Sequence, residues 1–321
     1  MRIVILRYGQ LGDLVLLSSV FESLYKFHEL ILSTSFNFQS LYQHDPRLNK
    51  ILVLQNSRPS DLIRHSRLIR KLHPDLVIDY QNKIKSRIIA KLSKTPYSVY
   101  DSLRKSRIKL IKNPRKSLSL PLAWKRYLNL LTRLEVKHIP HCPPKLYLDR
   151  CYDPLLSNIT GDNWIGFHCQ SQHRGKQLNE NTVNEVIGEL KKREYRIFSI
   201  GSEPEQNLCV DLNLAGQTNF TLLKQLLAKA ICLVTSDSGP LHVAEAVNTP
   251  VVAIFGSTSP DFGFRPWLPK SRTIYLNLTC SPCSLHGQDK CSKNFSCINS
   301  INSEMILKEI LFIAENRAIS T

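Results

Sequence analysis

Residues 231–255 read ICLVTSDSGPLHVAEAVNTPVVAIF. Two short apolar runs, Ile231–Val234 and Val251–Phe255, bracket a polar turn and a helix-length segment, the pattern of parallel strands covered on both faces. Between them Thr235-Ser236-Asp237-Ser238-Gly239-Pro240 marks the handover from strand to helix. Pro240 suits a first helical turn, where an N–H has no intrahelical partner. The helix is therefore expected to begin near Gly239, with its leading N–H groups and the positive end of its dipole beside the turn. An anion such as a phosphate can bind there, although the same residue types also make a plain helix cap. His242 and Glu245 are expected on the exposed or cleft side of that helix.

Working outward, the same alternation recurs on both sides. Upstream, Trp164–His168 and Tyr195–Ile200 read as strands, and Asn181–Arg193 and Phe220–Ala230 as helices. Nearer the N-terminus, Arg2–Arg7, Leu30–Ser33, Ile51–Leu54 and Leu76–Asp79 read as strands. Leu14–Phe27, Asp61–Leu72 and a stretch from about Pro121 to Val136 read as helices. Asn113–Lys116 reads as loop. The proline-rich segment His138–Tyr152 is the best linker, so two domains are expected, residues 1–155 and 156–321. Strands alternating with helices argue for parallel sheets joined by right-handed crossovers, hence two Rossmann-like α/β domains facing a central cleft. Ligands of such sheets lie beyond the carboxyl ends of the strands, so the strand-to-helix turns should carry the function.

Composition narrows the partners. With 43 Lys and Arg against 26 Asp and Glu, the 321-residue chain carries a net charge of +17. The excess is concentrated: Arg58–Lys137 holds 21 basic and 5 acidic residues. Such a region favours anionic partners, namely nucleic acid, an anionic membrane face or phosphorylated substrates. It lacks the interleaved aromatics that stack on bases and any known nucleic-acid module, so no nucleic-acid partner is expected. No apolar run is long enough to span a bilayer, and the apolar N-terminal stretch is too short and too charged for a signal segment. Nine cysteines, an odd number, fit reduced thiols. A cytoplasmic location is the expectation.

The turns supply candidate residues. Tyr8-Gly9-Gln10-Leu11-Gly12-Asp13 places a carboxylate at a helix start, where Asp13 can equally be an N-cap. Cys169–Lys176 is polar and basic, with Ser171, Arg174 and Lys176 available to oxyanions. Gly201-Ser202-Glu203-Pro204-Glu205 puts carboxylates at an expected helix N-terminus, where Glu203 can accept ribose hydroxyls or simply complement the helix dipole.

Two motifs in order carry a resemblance. Ile3–Arg7 followed by Leu11-Gly12-Asp13 resembles the strand-GD-helix opening of glycosyltransferase family 9, the heptosyltransferases of lipopolysaccharide core assembly. Asp237-Ser238-Gly239-Pro240-Leu241-His242-Val243-Ala244 resembles that family's D-[ST]-G-P-x-H-x-A signature, and Pro250 and Phe255–Pro260 follow it. The resemblance implies a GT-B fold with the acceptor on the N-terminal domain and the nucleotide-sugar on the C-terminal one. It implies inverting heptose transfer, from a donor such as ADP-heptose to a phosphorylated lipid-linked saccharide, by a peripheral enzyme on the inner face of the inner membrane. Other GT-B enzymes that pass other sugars to lipids or proteins share the same turn chemistry.

By the same resemblance Asp13 matches the general base and Lys176 the contact to the donor phosphates. Asp237, Ser238, Gly239, Pro240, Leu241 and His242 match the donor turn, with Ser171 and Glu203 beside it. Gly12, Arg58, Arg64, Lys83 and Arg87 are the acceptor-side candidates. The chemistry agrees, since transfer needs a carboxylate to take the acceptor's proton and positive groups to receive the departing diphosphate. No D-x-D pair is present, so neither metal nor cofactor is expected in the reaction, the nucleotide-sugar being a substrate. A carboxylate would repel a phosphate, so Asp237 is expected to face sugar hydroxyls or orient the loop. The chain departs from the family pattern at Gly9, where Ser or Thr is usual, at Ser19, where Pro is usual, and at Leu178, where Trp completes a K-x-W.

Near the end, Cys280, Cys283, Cys291 and Cys297 form a four-thiol group. They can close a loop around a structural zinc or remain free thiols.

Overall fold

The structure, a computed structural model, describes residues 1–113, 119–204 and 207–317. Part of the expected 113–116 loop and Glu205 of the 201–205 turn lie outside the described residues. In chain order the first elements are β1 (Arg2–Leu6), α1 (Leu11–Leu24), β2 (Glu29–Ser35), β3 (Lys50–Leu54), α2 (Pro59–Lys71), β4 (Leu76–Asp79), α3 (Ile84–Leu92), β5 (Tyr97–Val99), α4 (Arg104–Lys112) and α5 (Ala123–Arg133). There follow β6 (Trp164–His168), α6 (Glu180–Lys191), β7 (Arg196–Ser199), β8 (Leu212–Asn213), α7 (Phe220–Lys229), β9 (Cys232–Ser236), α8 (Gly239–Ala246), β10 (Val251–Phe255), β11 (Arg272–Tyr275), α9 (Ser296–Asn299) and α10 (Ser303–Arg317).

The chain divides into two compact units, residues 1–104 with 123–147, and 105–122 with 148–321. The proline-rich stretch contains the last passage between them. Residues 105–122 join the second unit through specific contacts: Leu120 N–H donates to Asp261 O at 2.9 Å, and the Arg265 guanidinium donates to Ser119 Oγ at 3.0 Å.

In the first unit five parallel strands take the order β3-β2-β1-β4-β5. The connections run one way from β1 to β2 and β3 and the other way to β4 and β5. The switch point of the sheet therefore lies beyond the carboxyl end of β1, where Asp13 follows. Ile3, Val4, Ile5 and Leu6 are wholly buried, as an all-apolar central strand requires. The α1 residues Leu14, Leu17, Phe21 and Leu24 meet the core as their spacing predicts. Val15, Leu16 and Val20 are buried too, because α5 covers the other side of the helix.

The second unit has six parallel strands in the order β11-β10-β9-β6-β7-β8. Its switch point lies between β6 and β9, so the loop carrying Lys176 and the turn carrying Asp237 leave adjacent strands at the same end. Each of β6, β9 and β10 is buried along its whole length. One expectation fails here. No helix follows the 201–204 turn among the described residues; the chain runs instead to the two-residue β8. Gln170 holds that turn, donating to Glu203 O at 2.5 Å and accepting from Glu203 N–H at 3.1 Å, and so satisfies the backbone groups that a helix would have used.

Candidate functional site

In the first unit, β1 is followed at once by Arg7, whose side chain is almost fully buried. Its guanidinium donates to Tyr80 O at 2.5 Å and to Gly9 O at 3.1 Å, and pairs with an Asp13 carboxylate oxygen. The second Asp13 oxygen accepts from the Tyr127 hydroxyl at 2.9 Å. Asp13 is not the N-cap of α1. Gln10 holds that position, with φ of 68°, and Asp13 sits in the first helical turn with 23% of its side chain exposed. Tyr127 is fixed edge-on against Tyr80 and Tyr100, with ring centroids 5.2 and 4.7 Å away. Burial, followed by the Asp13 carboxylate, raises its hydroxyl far above the ordinary range, so it stays a hydrogen-bond donor.

A carboxylate oxygen has two lone pairs, so both Asp13 oxygens retain capacity beyond these partners. The arrangement can hold a carboxylate aimed and still able to accept a proton. The turns after β3 and β4 close on the same end of the sheet. Lys85 reaches Ser57 Oγ at 3.4 Å and lies over the Tyr8 ring at 5.6 Å, and Gln81 accepts from Tyr8 N–H at 3.0 Å. The acceptor-side candidates are spread over three elements. Gly12 is in α1, Arg58 caps α2, Arg64 is exposed on α2 and pairs with Asp61 at 2.6 Å, and Lys83 caps α3, which carries Arg87. Arg87 donates to Asn82 Oδ1 at 2.9 Å.

In the second unit, Lys176 ends a single 3-10 turn and its ammonium lies 3.2 Å from an Asp237 carboxylate oxygen. The same oxygen accepts from Thr258 Oγ1 at 2.9 Å. Although burial pushes the Asp237 carboxyl upward, Lys176 and Thr258 together hold it below its ordinary value. Gly239 opens α8, and the Ser238 side chain makes no capping hydrogen bond to it. The Ser238 hydroxyl turns instead to Thr235 Oγ1 at 2.9 Å, which lies 3.1 Å from His168 Nδ1. Burial, and then Lys176, push His168 down to about 4, so it is neutral near pH 7. This end of α8 thus offers uncapped N–H groups and one adjacent ammonium, which can receive an oxyanion.

Two expected orientations are corrected. His242 and Glu245 are buried rather than exposed. His242 stacks on Trp267, with centroids 6.0 Å apart and planes 8° from parallel. Glu245 accepts from the backbone N–H groups of Trp267 and Leu268 and from the Ser271 hydroxyl, so it clamps the following loop beneath α8.

Ser171 accepts from His173 N–H at 3.2 Å within a loop that is knitted to residues 287–289 through Asp289 and Gln288. Glu203 is exposed, on the turn held by Gln170. Cys280, Cys283, Cys291 and Cys297 line one cavity with Ser257 and Phe295, and all are free thiols. Burial, with the neighbouring thiols adding, raises Cys283 and takes Cys297 to about 11. Among the described residues no three His, Cys, Asp or Glu side chains are gathered as a metal-ligand set.

The profile of glycosyltransferase family 9 (heptosyltransferase) matches residues 62–293, well over half of the chain. The chain belongs to glycosyltransferase family 9. The match includes Lys176 and the 237–242 turn and begins after Asp13. Two solved structures agree with the fold. The family 9 glycosyl transferase of Veillonella parvula superposes with a TM-score of 0.78 at 19% identity, covering 98% of this chain and 97% of that one. The ADP-heptose lipopolysaccharide heptosyltransferase II of Escherichia coli superposes with a TM-score of 0.75 at 19% identity, covering 99% and 100%. The two parallel-sheet units are therefore of the GT-B type.

Among relatives of this family, lipooligosaccharide heptosyltransferase 2 of Haemophilus influenzae is 34% identical over 116 residues, 35% of this chain and 33% of its own length. Lipopolysaccharide heptosyltransferase 3 of Escherichia coli is 28% identical over 137 residues, 38% of this chain and 40% of its own length. The chain thus spans about a third to two fifths of the curated relatives it matches.

Sequence reading missed Arg7 and Tyr127 as the partners of Asp13. The charge that ends an otherwise apolar strand was the available signal for Arg7. Tyr127 had none, because it meets Asp13 from 114 residues away.

Proposed function

We propose that the chain is an inverting, metal-independent glycosyltransferase that moves heptose from ADP-heptose to a phosphorylated, lipid-linked lipopolysaccharide core saccharide. Asp13 accepts the proton of the attacking hydroxyl as its oxygen bonds to the anomeric carbon. The bond from that carbon to the diphosphate oxygen breaks, and ADP departs with the electron pair. Lys176 and the leading N–H groups of α8 receive the diphosphate charge, and Asp237 keeps the ammonium in place until the donor arrives. The basic surface of the first unit serves the phosphorylated acceptor.

The observation that carries this reading is the Lys176–Asp237–Thr258 assembly at the uncapped start of α8, in a chain of this family. The donor assignment follows the relatives, whose names specify heptose and, for one solved structure, ADP-heptose. A thermal-shift screen against ADP-, GDP-, UDP- and CMP-sugars tests the donor, with stabilisation by the ADP-sugar alone expected. Release of ADP on adding a heptose-deficient core saccharide tests transfer. Stabilisation by a different nucleotide-sugar would reassign the donor, and stabilisation by none, with a shift on duplex DNA, would overturn the reading.

A further inference from the structure

Exposed large apolar side chains are unevenly distributed over the described residues. Six of the twelve fall between residues 63 and 97: Ile63, Leu68, Ile84, Ile88, Leu92 and Tyr97. The highest exposure of the twelve, 81%, belongs to Ile84. In α3 the positions 84, 88 and 92 recur every fourth residue and so share one helical face. Ser86, Ile89 and Ala90 are buried on the opposite face, against the core that also takes Leu62 and Ile69 of α2. Helical geometry places Arg87 and Lys91 along one side of the apolar stripe and Lys85 along the other. The neighbouring helix α2 adds Arg67, Arg70 and Lys71, and its one acidic residue, Asp61, is paired with Arg64.

An exposed apolar stripe with cations on both sides, on a helix whose other face is already in the core, has the chemistry of an interfacial element. Aliphatic side chains enter the headgroup and acyl boundary while lysine and arginine heads remain with anionic phosphates. Tyr97, half-exposed on the edge strand β5 that follows, is of the type that sits at such boundaries. We propose that the α3 face of the first unit, centred on Ile84, Ile88 and Leu92, docks on an anionic phospholipid surface. The assignment deepens the reading of a lipid-linked acceptor and rests on it. Charge complementarity selects the occupant: one sign of charge surrounds the stripe, which suits a lipid sheet of the opposite sign and would place like charges together in a symmetric pairing of two copies.

The test is cosedimentation of the full chain with phosphatidylcholine vesicles, with and without phosphatidylglycerol. The wild type is expected to pellet with the anionic vesicles and to be released by high salt. I84S/I88S should reduce the partition about tenfold or more, and R67E/K91E should remove the preference for anionic lipid. ADP release with a deacylated, water-soluble acceptor should be unchanged in I84S/I88S, which also shows that this variant is folded. Wild type remaining in the supernatant with anionic vesicles, or I84S/I88S pelleting like wild type, would overturn the proposal. A wild-type dimer that I84S/I88S converts to monomer, without vesicle binding, would overturn it in favour of a second copy. The vesicle assay uses neither donor nor turnover, so its failure leaves sugar transfer standing, and a failed donor screen leaves a vesicle result standing.

Discussion

The turn after β1 and the turn after β9 each pair one carboxylate with one cation, but they fix opposite members of the pair. In the first, Arg7 is immobilised by two backbone carbonyls, and its side chain is only 7% exposed against 23% for Asp13. In the second, Asp237 is anchored by Thr258, and the Lys176 ammonium lies 3.2 Å from that carboxylate. A guanidinium has five donors and can serve as a scaffold while still holding a carboxylate. An ammonium on a flexible stem can leave one oxyanion for another. On the proposed reading, the acid acts in the first turn and the cation in the second.

The sharpest way to break this contrast is D13N. It should lower ADP release by about 10²- to 10⁴-fold while leaving the calorimetric affinity for ADP-sugar unchanged. Turnover near wild type would remove Asp13 from the chemistry. K176M should weaken donor affinity and, by stranding a largely buried carboxylate, cost about 1–3 kcal/mol in denaturant unfolding. K176M/D237N should recover the stability but not the donor affinity. Recovery of both would make the pair purely structural.

Beneath α8, burial raises Glu245 to about 7 from an ordinary 4.5. Between those values the folded chain retains a proton that the unfolded chain has released. This contribution to stability is therefore complete below pH 4.5 and is lost as pH rises through 7. His168, lowered to about 4, acts oppositely, with a contribution lost as pH falls from 6.5 toward 4. The wild-type-minus-E245Q difference in unfolding free energy should decline between pH 5 and about 7.5, and a flat difference would remove Glu245 from the pH response.

Y127F leaves Arg7 in place and should cost about 1 kcal/mol in transition-state stabilisation, read as a fall in kcat without a change in donor affinity. A parallel loss of donor affinity would show that Tyr127 serves more than Asp13. The smallest effect is expected for G9S. A Cβ at Gly9 meets nothing within 4 Å, so stability should stay within about 0.5 kcal/mol, and any change in acceptor preference would report on the missing hydroxyl alone.

Most strands were legible because buried parallel strands are continuous apolar runs. Trp164–His168, Leu76–Asp79 and Val251–Phe255 match their expected limits residue for residue. The α3 helix was not, since its clearest apolar recurrence, Ile84, Ile88 and Leu92, faces outward and is diluted by lysine and arginine. The 201–205 segment misled because Glu and Pro near a strand end imitate a helix start. The Gln170 side chain that occupies its backbone comes from a different turn. At the site, Asp13, Lys176 and Asp237 could be read from local motifs. Their partners Tyr127 and Thr258 are 114 and 21 residues away from the carboxylates they serve, and such distances leave no local pattern.

Gln10 carries a further consequence. A side-chain-bearing residue held at φ of 68° is the steric cost of turning the chain sharply enough to begin α1 at Leu11 and aim Asp13. Selection for heat resistance would favour glycine at this position, because glycine relieves that cost. Selection for turnover would resist it, because the same change loosens the backbone that carries the acid. Position 10 is thus a place where thermostability and catalytic rate should trade against each other in a directed-evolution experiment.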